Sequence, residues 1–262
     1  MLFTSWYYNQ PYEEGTKLFP RDVIRYFEAE YWRSPGNHLV FADGRTVPLY
    51  VTMTIDPAPT VGPDSDFTGI TVVGCDADGR WYVLWAEAMK KLPSAGADKV
   101  VALIVKFAPS VCGIESDKAD PEFVSRIRER LTEFNIECAI QSYSAIRDEA
   151  SGARGKGQRI EALEPYFREG WIGLRRGAPM RDLLQQLDRY GAGLEHDDVL
   201  DALSMQRLFV RPSRERTRSD LVQTQEVIEE KLSWGPEGAP AREQRSFRGA
   251  WIGRASQIPR AL

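Results

Sequence analysis

The sequence predicts an α/β fold with one mixed sheet, in which three antiparallel strands precede parallel βαβ strands and helices lie on both faces. Three observations lead to this fold class. Three apolar segments of strand-like pattern follow one another between residues 48 and 90, with the turn "DADG" between the last two. Strand and helix patterns then alternate, which favours parallel pairing through right-handed crossovers. With 262 residues, of which 42% are hydrophobic, the chain is long enough to bury the core of such a sheet.

The antiparallel strands come from the first half of the chain. Residues 1–35 are rich in aromatic side chains and are interpreted as a lead-in, with one helix predicted from Arg21 to Trp32. From Pro48 onwards the pattern becomes that of β-strands. The stretch "PLYVTMTIDPA" is apolar and alternating, and "FTGITVVGCDADGRWYVLWAEAMK" reads as two strands joined by a turn. Three successive antiparallel strands are therefore expected here.

The alternating helices and strands come from the second half of the chain. Apolar residues recur there at helical spacing in some segments, and form short continuous runs typical of buried strands in others. A glycine-rich basic loop separates the earlier elements from the later ones. In chain order, the predicted elements are the helix "ADKVVALIVKFAPS", the strand "VCGIE", the helix "DPEFVSRIRERLTEF", the strand "IECAIQSYS", the loop "SGARGKGQ", the helix "RIEALEPYFREG", the strand "WIGL", the helix "APMRDLLQQLDRY" and the helix "LEHDDVLDALSMQRLF".

Composition excludes several classes of protein. No apolar run approaches the roughly 20 residues that span a bilayer, and the first residues lack a signal-peptide pattern, so an intracellular protein without membrane contact is expected. Three widely spaced cysteines predict neither a disulfide nor a zinc site, and two histidines are too few for a Ser/His/Asp hydrolase. The basic loop fails the Walker pattern, so no nucleotide cofactor is expected. The formal net charge of -4 by itself argues against a nucleic-acid partner, because proteins that bind nucleic acids are normally basic, but the distribution of charge matters more than its sum.

Two acidic residues stand at the ends of predicted strands. Asp56 ends the first apolar strand, in "TIDPA", and Glu115 ends the later strand "VCGIE". Strand ends are where open α/β sheets present functional groups, whereas a carboxylate in the middle of an apolar run would be buried without a partner. If these two strands are neighbours in the sheet, the two carboxylates converge at one edge.

The last predicted helix begins with three aspartates in five residues. Asp197 is well placed to cap the helix, while Asp198 and Asp201 are three residues apart and therefore share a face. Two interpretations remain open at this point. The acids are either an N-cap followed by solvated carboxylates, or a metal site in which Asp198 supplies a third carboxylate and Asp201 a fourth.

The metal interpretation has a specific chemistry. Several carboxylates at one point repel one another unless cations separate them, and their hard oxygens suit Mg²⁺ or Mn²⁺. A pair of such ions, roughly 3.5–4 Å apart, activates water and stabilises the leaving oxygen of a phosphodiester. The acids at the strand and helix ends therefore indicate phosphodiester hydrolysis.

The order of these features resembles the RNase H-like nuclease superfamily, and in detail the nuclease domain of tailed-phage large terminases. The lead-in "FTSWYYNQPYEEGTKLF" is similar to the segment by which the terminase motor connects to its nuclease. The resemblance implies a lead-in at 1–35, a nuclease domain at 36–210 and a partly disordered tail at 211–262. Four stretches carry it in the family's order: "TIDPAPTVGPDSDFTGITVVG", "VCGIES", "KGQRIEALEPYFREGWI" and "HDDVLDAL".

The resemblance also implies the site residues and the function. Asp56, Glu115 and Asp198 are implied as catalytic metal ligands, Asp201 matches a position that junction-resolving relatives use, and Asp197 is a cap or a substitute ligand. The implied activity is metal-dependent cleavage of concatemeric viral DNA during packaging in the host cytoplasm, with Mg²⁺ or Mn²⁺, as two ions. The implied partners are double-stranded DNA, the portal protein, the small terminase subunit and the ATPase motor domain. Because no motor domain occurs in the sequence, the chain is expected to be a fragment or a separately encoded piece.

The glycine-rich basic loop is a candidate for DNA contact. Six cationic and three acidic side chains lie between Arg154 and Arg176, and Arg154, Lys156 and Arg159 are the predicted phosphate contacts. An exposed basic loop without a ligand is the alternative. For the whole chain, the alternatives to a packaging endonuclease are a non-catalytic module that grips DNA or docks on the portal, and a junction-resolving nuclease of the same fold.

Overall fold

Two β-sheets and six helices form the part of the chain that the structure describes. The structure is a computed structural model, and it describes residues 17–33, 36–58, 67–90, 93–117, 119–144, 155–191 and 196–214. The strands are β1 (Arg25–Phe27), β2 (Ala29–Trp32), β3 (His38–Phe41), β4 (Thr46–Pro48), β5 (Tyr50–Asp56), β6 (Thr68–Cys75), β7 (Trp81–Met89), β8 (Val111–Glu115), β9 (Ala139–Tyr143) and β10 (Ile172–Arg175). The helices are α1 (Pro93–Phe107), α2 (Pro121–Glu133), α3 (Lys156–Glu161), α4 (Glu164–Arg168), α5 (Arg181–Arg189) and α6 (Asp198–Phe209).

The larger sheet has seven strands in the order β1-β10-β7-β6-β5-β8-β9. Strand β6 pairs antiparallel with both β5 and β7, whereas β8 pairs parallel with β5, and β9 parallel with β8. On the other side, β10 pairs parallel with β7, and β1 parallel with β10. The predicted mixed sheet, with three antiparallel strands followed by parallel ones, is therefore confirmed.

The strands alternate between two cores, because successive side chains of a strand point to opposite faces. On β5, Val51, Met53 and Ile55 join the core formed with α1 and α2. The opposite face of the sheet, including Trp81 and Val83 of β7, packs against residues of α3, α4, α5 and α6. The prediction of helices on both faces is also confirmed.

The predicted helix from Arg21 to Trp32 is wrong. A 3-10 turn occupies Arg21–Val23, and the remaining residues form β1 and β2. Strand β1 is held by its pairing with β10, about 150 residues further along the chain, and β2 pairs with β3 in a separate three-stranded antiparallel sheet, β2-β3-β4. Local apolar spacing cannot reveal a strand that depends on such distant partners.

The predicted helix "RIEALEPYFREG" is in fact two short helices, α3 and α4. Helix α3 ends at Glu161, and Pro165 lies in the first turn of α4. Proline has no N–H to donate and its ring clashes with the preceding turn, so it starts a helix more readily than it continues one. The break leaves α3 free to take its own direction towards α6.

Parts of the predicted domain organisation lie outside the described residues. These parts are the first 16 residues of the lead-in and the tail beyond residue 214, so the predicted domain boundaries stay predictions. Phe19, which belongs to the predicted lead-in, is buried in the core beneath α3 to α6. Within the described ranges, no helix is both long and apolar enough to cross a membrane.

Candidate metal centre

Three buried carboxylates meet at one end of the large sheet. Asp56 ends β5, Glu115 ends β8 and Asp201 lies in the first turn of α6. Each offers an oxygen within 4.8 Å of the others, and their residues are 1%, 3% and 1% exposed, respectively. The first two converge because β5 and β8 are parallel neighbours whose last paired residues are Ile55 and Ile114.

Helix α6 brings the third carboxylate, and glycine lets it approach the sheet. Gly69 of β6 lies opposite Asp56 in the antiparallel register. A Cβ atom on Gly69 would lie 2.1 Å from the backbone oxygen of Asp198, which is far inside van der Waals contact. Near the other end of the helix, a Cβ atom on Gly113 would lie 2.3 Å from the ring of Phe209. Glycine at both places is therefore required for α6 to lie this close to the strands.

A buried ladder of polar side chains fixes the position of α6 along the sheet. The hydroxyl of Thr52 donates to Gln206 Oε1 at 2.6 Å, and Gln206 Nε2 donates to Thr71 Oγ1 at 3.0 Å. The hydroxyl of Thr54 contacts the carbonyl oxygen of Ala202 at 2.6 Å. Each polar group would be costly to bury alone, so sliding the helix by one residue would forfeit several of these bonds at once.

The first turn of α6 is capped by a neighbouring helix. Gln186 of α5 is buried, and its Oε1 accepts a hydrogen bond from the backbone N–H of Leu200 at 2.8 Å. Asp197 does occupy the N-cap position, but its side chain makes no capping hydrogen bond, so the predicted capping role of its carboxylate is wrong. Its ψ of 19° departs from the extended backbone that N-cap residues normally adopt, and its carboxylate instead contacts Lys156.

Two cations of α3 lie among the acids. Lys156 Nζ lies 2.7 Å from Asp197 Oδ1 and 3.4 Å from Asp201 Oδ2. Arg159 Nη2 donates to Asp201 Oδ1 at 3.1 Å, and the Ser204 hydroxyl donates to the same oxygen at 3.0 Å. The carboxylate of Asp201 is therefore held by three donors from two helices.

The carboxylates determine the protonation of both cations. Burial lowers the pKa of Lys156, but the carboxylates of Asp201, Asp197 and Asp56 outweigh it and hold the pKa well above its ordinary value. The same balance holds for Arg159. Burial lowers its pKa, but the carboxylate of Asp201 has the larger opposite effect, so the pKa of Arg159 is raised overall. Both side chains are consequently charged at every physiological pH.

Only some of the predicted site residues lie close together in the structure. Asp56, Glu115 and Asp201 form the close group, whereas Asp198 is buried at the first position of α6 and is not a member of that group. Arg154 lies outside the described residues. The catalytic roles predicted for Asp56, Glu115 and Asp198, and the DNA contacts predicted for the basic loop, stay predictions.

Sequence reasoning missed the residues that position the acids. A glycine within an apolar strand is a signal that another backbone approaches closely. The position of Gly69 could therefore have been predicted to be such a contact point. Gln186 stands one residue before the buried Leu187 and three after the buried Leu183, which places it on the inward face of an amphipathic helix. The threonines of β5 alternate with its apolar residues, but nothing in the local sequence identifies Gln206 as the partner of Thr52, or the Ala202 carbonyl as the partner of Thr54.

The donor set fits a hard divalent cation. Three carboxylates supply only oxygen ligands, which Mg²⁺, Mn²⁺ and Ca²⁺ prefer, and no cysteine or histidine belongs to the group. Burial makes an uncompensated cluster of like charges costly. Lys156 and Arg159 neutralise the Asp201 side of the cluster, and a cation between Asp56 and Glu115 would neutralise the rest.

Comparison with known proteins identifies the family. The model of the terminase RNaseH-like domain family matches residues 53–208, which is more than half of the chain. The chain belongs to this family and has the RNase H-like nuclease fold. No curated protein matches the sequence.

Several solved structures are similar to this chain. The large terminase nuclease from thermophilic phage G20c is 15% identical, with 74% of this chain and 99% of that chain covered and a TM-score of 0.48. The nuclease domain of the large terminase subunit gp2 of bacterial virus Sf6 is 13% identical, with 63% and 89% covered and a TM-score of 0.45. RuvC from T. thermophilus, in complex with a Holliday junction substrate, is 16% identical, with 59% and 89% covered and a TM-score of 0.37.

The cap from Gln186 leads to a prediction about stability. Replacing Gln186 by alanine leaves the N–H of Leu200 buried without its acceptor, and we expect the free energy of unfolding to fall by about 1–2 kcal/mol. Gln185 is the matched control, because it is the adjacent glutamine and is exposed. Urea unfolding of both variants checks this, and equal stabilities for Gln185→Ala and Gln186→Ala would contradict the assignment of the cap.

The contact at Gly69 leads to a prediction about the metal centre. Gly69→Ala forces the start of α6 away from β6, so we expect a loss of about 1–3 kcal/mol in stability and a smaller rise in melting temperature on adding Mn²⁺. Gly36→Ala is the control, because a Cβ atom there meets nothing within 4 Å. Thermal melts with and without Mn²⁺ measure both effects. A Gly69→Ala protein with the full Mn²⁺ response would show that the approach of α6 does not build the site.

Proposed function

We propose that this chain is a divalent-metal-dependent DNA endonuclease that cleaves concatemeric double-stranded phage DNA during genome packaging in the host cytoplasm. The observation that carries the proposal is the convergence of Asp56, Glu115 and Asp201 within 4.8 Å at the carboxyl ends of β5 and β8, in a member of the terminase RNaseH-like family. Strand ends of this kind are where α/β sheets carry their functional groups. The portal protein, the small terminase subunit and the ATPase motor domain are the proposed partners.

The three carboxylates would hold Mg²⁺ or Mn²⁺, proposed as a pair of ions when substrate is present. Such ions, when bound, lower the pKa of a water molecule and stabilise the charge of the leaving phosphodiester oxygen. The contribution of the chain is to hold the ligands in place before substrate arrives. Arg159 and Ser204 orient the Asp201 carboxylate, and the Gln206 ladder fixes the helix that carries it.

DNA would approach the site along the side that carries Lys156, whose side chain is 36% exposed. The phosphate contacts proposed for this side are Arg154, Lys156 and Arg159. The Arg159 donors Nε and Nη1 are buried and have no hydrogen-bond partner within the described part of the chain. Unused donors of a buried guanidinium suit an anionic acceptor, and a phosphate oxygen has the matching charge and geometry.

Two alternatives remain to be separated from this proposal. A non-catalytic module that grips DNA or docks on the portal gains nothing from three buried carboxylates, which lower stability unless cations compensate them. A junction-resolving nuclease would use the same acids on branched DNA, so the choice of substrate rather than the site separates the two activities.

Cleavage assays test the proposal. We expect the full chain to nick or cut plasmid DNA with Mg²⁺ or Mn²⁺, and to lose this activity in EDTA. Loss of groups that merely support metal ligands costs 10–100-fold, so Asp56→Asn, Glu115→Gln and Asp201→Asn should each reduce cleavage by more than about 100-fold. Asp198→Asn should reduce it less than Asp201→Asn, because Asp198 does not belong to the close group.

The control for these variants is Asp188→Asn, which removes a carboxylate paired with Lys17 and Arg21 and should cut normally. A folded wild-type chain that cuts no duplex DNA with either ion would contradict the proposal, as would an Asp201→Asn variant that cuts at the wild-type rate. Cleavage restricted to four-way junctions would favour the junction-resolving alternative.

A further inference from the structure

Three cations lie close together around a tryptophan on the face of the large sheet that carries α1. Trp85 lies in the middle of β7, and its ring packs against that of Phe107 at the end of α1. The ammonium groups of Lys99 and Lys106, both on α1, lie 5.0 and 4.3 Å from the centre of the Trp85 ring. The third cation is Arg175, at the end of β10. Helices α3 and α6 pack on the opposite face of the sheet, so this group is separate from the candidate metal centre.

The cations in this group outnumber the carboxylates that contact them. Lys99 pairs with Glu87 at 3.0 Å. Lys106 lies within 4 Å of no carboxylate in the described ranges, and Arg175 Nε donates to the carbonyl oxygen of Ala29 rather than to an acid. Burial lowers the pKa of Lys106, and the charges of Arg175 and Lys99 lower it further. The three cations therefore repel one another, and an anion among them would relieve that repulsion.

The group is open to solvent and lacks an acceptor. Lys106 is exposed, and the Lys99 side chain is 28% exposed. Contact with an aromatic ring holds an ammonium in place but supplies no negative charge. The Nε1 atom of Trp85 is buried, and no residue that the structure describes accepts a hydrogen bond from it. Because lysine stems are flexible, a small oxyanion can enter beside the ring and bring both negative charge and acceptor oxygens.

We propose that Lys99, Lys106 and Arg175 form a phosphate-binding site, and that a backbone phosphate of DNA occupies it. Lysine binds phosphate as a point charge, whereas arginine offers several donors in a fixed plane, so the set combines attraction with orientation. The choice of DNA over a free phosphate compound rests on the proposed function. The phosphate site itself does not.

The position of the site suits a second contact with a duplex that is bound at the metal centre. Asp56, Gly69 and Ala88 lie side by side on β5, β6 and β7, and Trp85 precedes Ala88 by one turn of the strand pattern and a half. Strand spacing of about 4.8 Å and a rise of about 3.3 Å per residue place the backbone of Trp85 about 14 Å from that of Asp56. This separation equals about four base-pair steps of DNA, so even a short duplex is long enough to reach both sites.

Two measurements on the full chain in EDTA, where no DNA is cut, test the inference. The first is an NMR titration with inorganic phosphate that follows the indole N–H resonance of Trp85, assigned by its loss in Trp85→Phe. We expect this resonance to shift in the wild type and to shift much less in Lys106→Gln. The second is binding to duplexes of unrelated sequence. Lys106→Gln should bind all of them about 3–10-fold more weakly at low salt, and the salt slope should fall by about 1.

The matched control is Arg128→Gln, which also removes one positive charge from an exposed helical position. Arg128 lies on α2 and is within 4 Å of no carboxylate in the part of the chain that the structure describes. This variant should keep the phosphate-dependent shift and the salt slope of the wild type. Should Lys106→Gln fail to fold, Lys99→Gln is the second variant, and the same losses in both measurements are expected.

The outcomes separate this inference from the proposed function. A Trp85 resonance that phosphate does not move would overturn the site, and plasmid cleavage with Mn²⁺ would still report independently on the proposed function. A resonance that moves, with equal DNA binding by Lys106→Gln and Arg128→Gln, would assign the site to a free phosphate compound and overturn its DNA role. A shift caused by polyglutamate but not by phosphate would indicate an acidic protein partner instead. If the wild type neither binds nor cuts duplex DNA, the DNA role and the proposed function are both overturned.

Discussion

The docking of α6 on β5 and β6 is the interaction on which the candidate site depends. The helix lies close to the sheet because Gly69 has no side chain, and its register is fixed by the bonds that join Thr52 and Thr71 to Gln206. Asp201 reaches the strand ends only in that register. The positions of Asp56 and Glu115 do not depend on the docking of α6, because parallel pairing of β5 with β8 already brings the ends of their strands together. Asp201 is therefore the member of the acidic group whose position the tertiary structure has to define.

Charge balance is the second constraint, and it links the site to α3. Buried carboxylates raise the free energy of the folded state unless opposite charges compensate them. Arg159 and Lys156 compensate the Asp201 side, and their own protonation is secured by the carboxylates they neutralise. Lys156 and Arg159, which the sequence suggested for DNA contact, thus belong to a helix whose cations also neutralise the acids.

Sequence alone predicted that Asp56 and Glu115 converge if their strands are neighbours, because each ends an apolar run, and the structure pairs β5 with β8 and brings the two carboxylates together. The resemblance placed Asp198 before Asp201 as the third ligand, whereas the structure brings Asp201 rather than Asp198 into the close group, because the docking of α6 on the sheet decides which carboxylate lies beside the strand ends. The capping role of Asp197 failed for a similar reason. The carboxylate of Asp197 is at the right position to cap α6, but it pairs with Lys156 instead. The side chain of Gln186 accepts the hydrogen bond from the first turn of the helix. Strand β1 was missed because its partner β10 is remote in sequence.

The most direct test of the account is the position of a bound ion. Anomalous diffraction from crystals soaked in Mn²⁺ should reveal a peak at about 2.0–2.2 Å from carboxylate oxygens of Asp56, Glu115 and Asp201, as expected for oxygen ligands of a small divalent ion. A peak coordinated by Asp198 while Asp201 stays paired with Arg159, or the absence of any peak at the end of β5, would contradict the central claim that α6 delivers Asp201 as the third ligand.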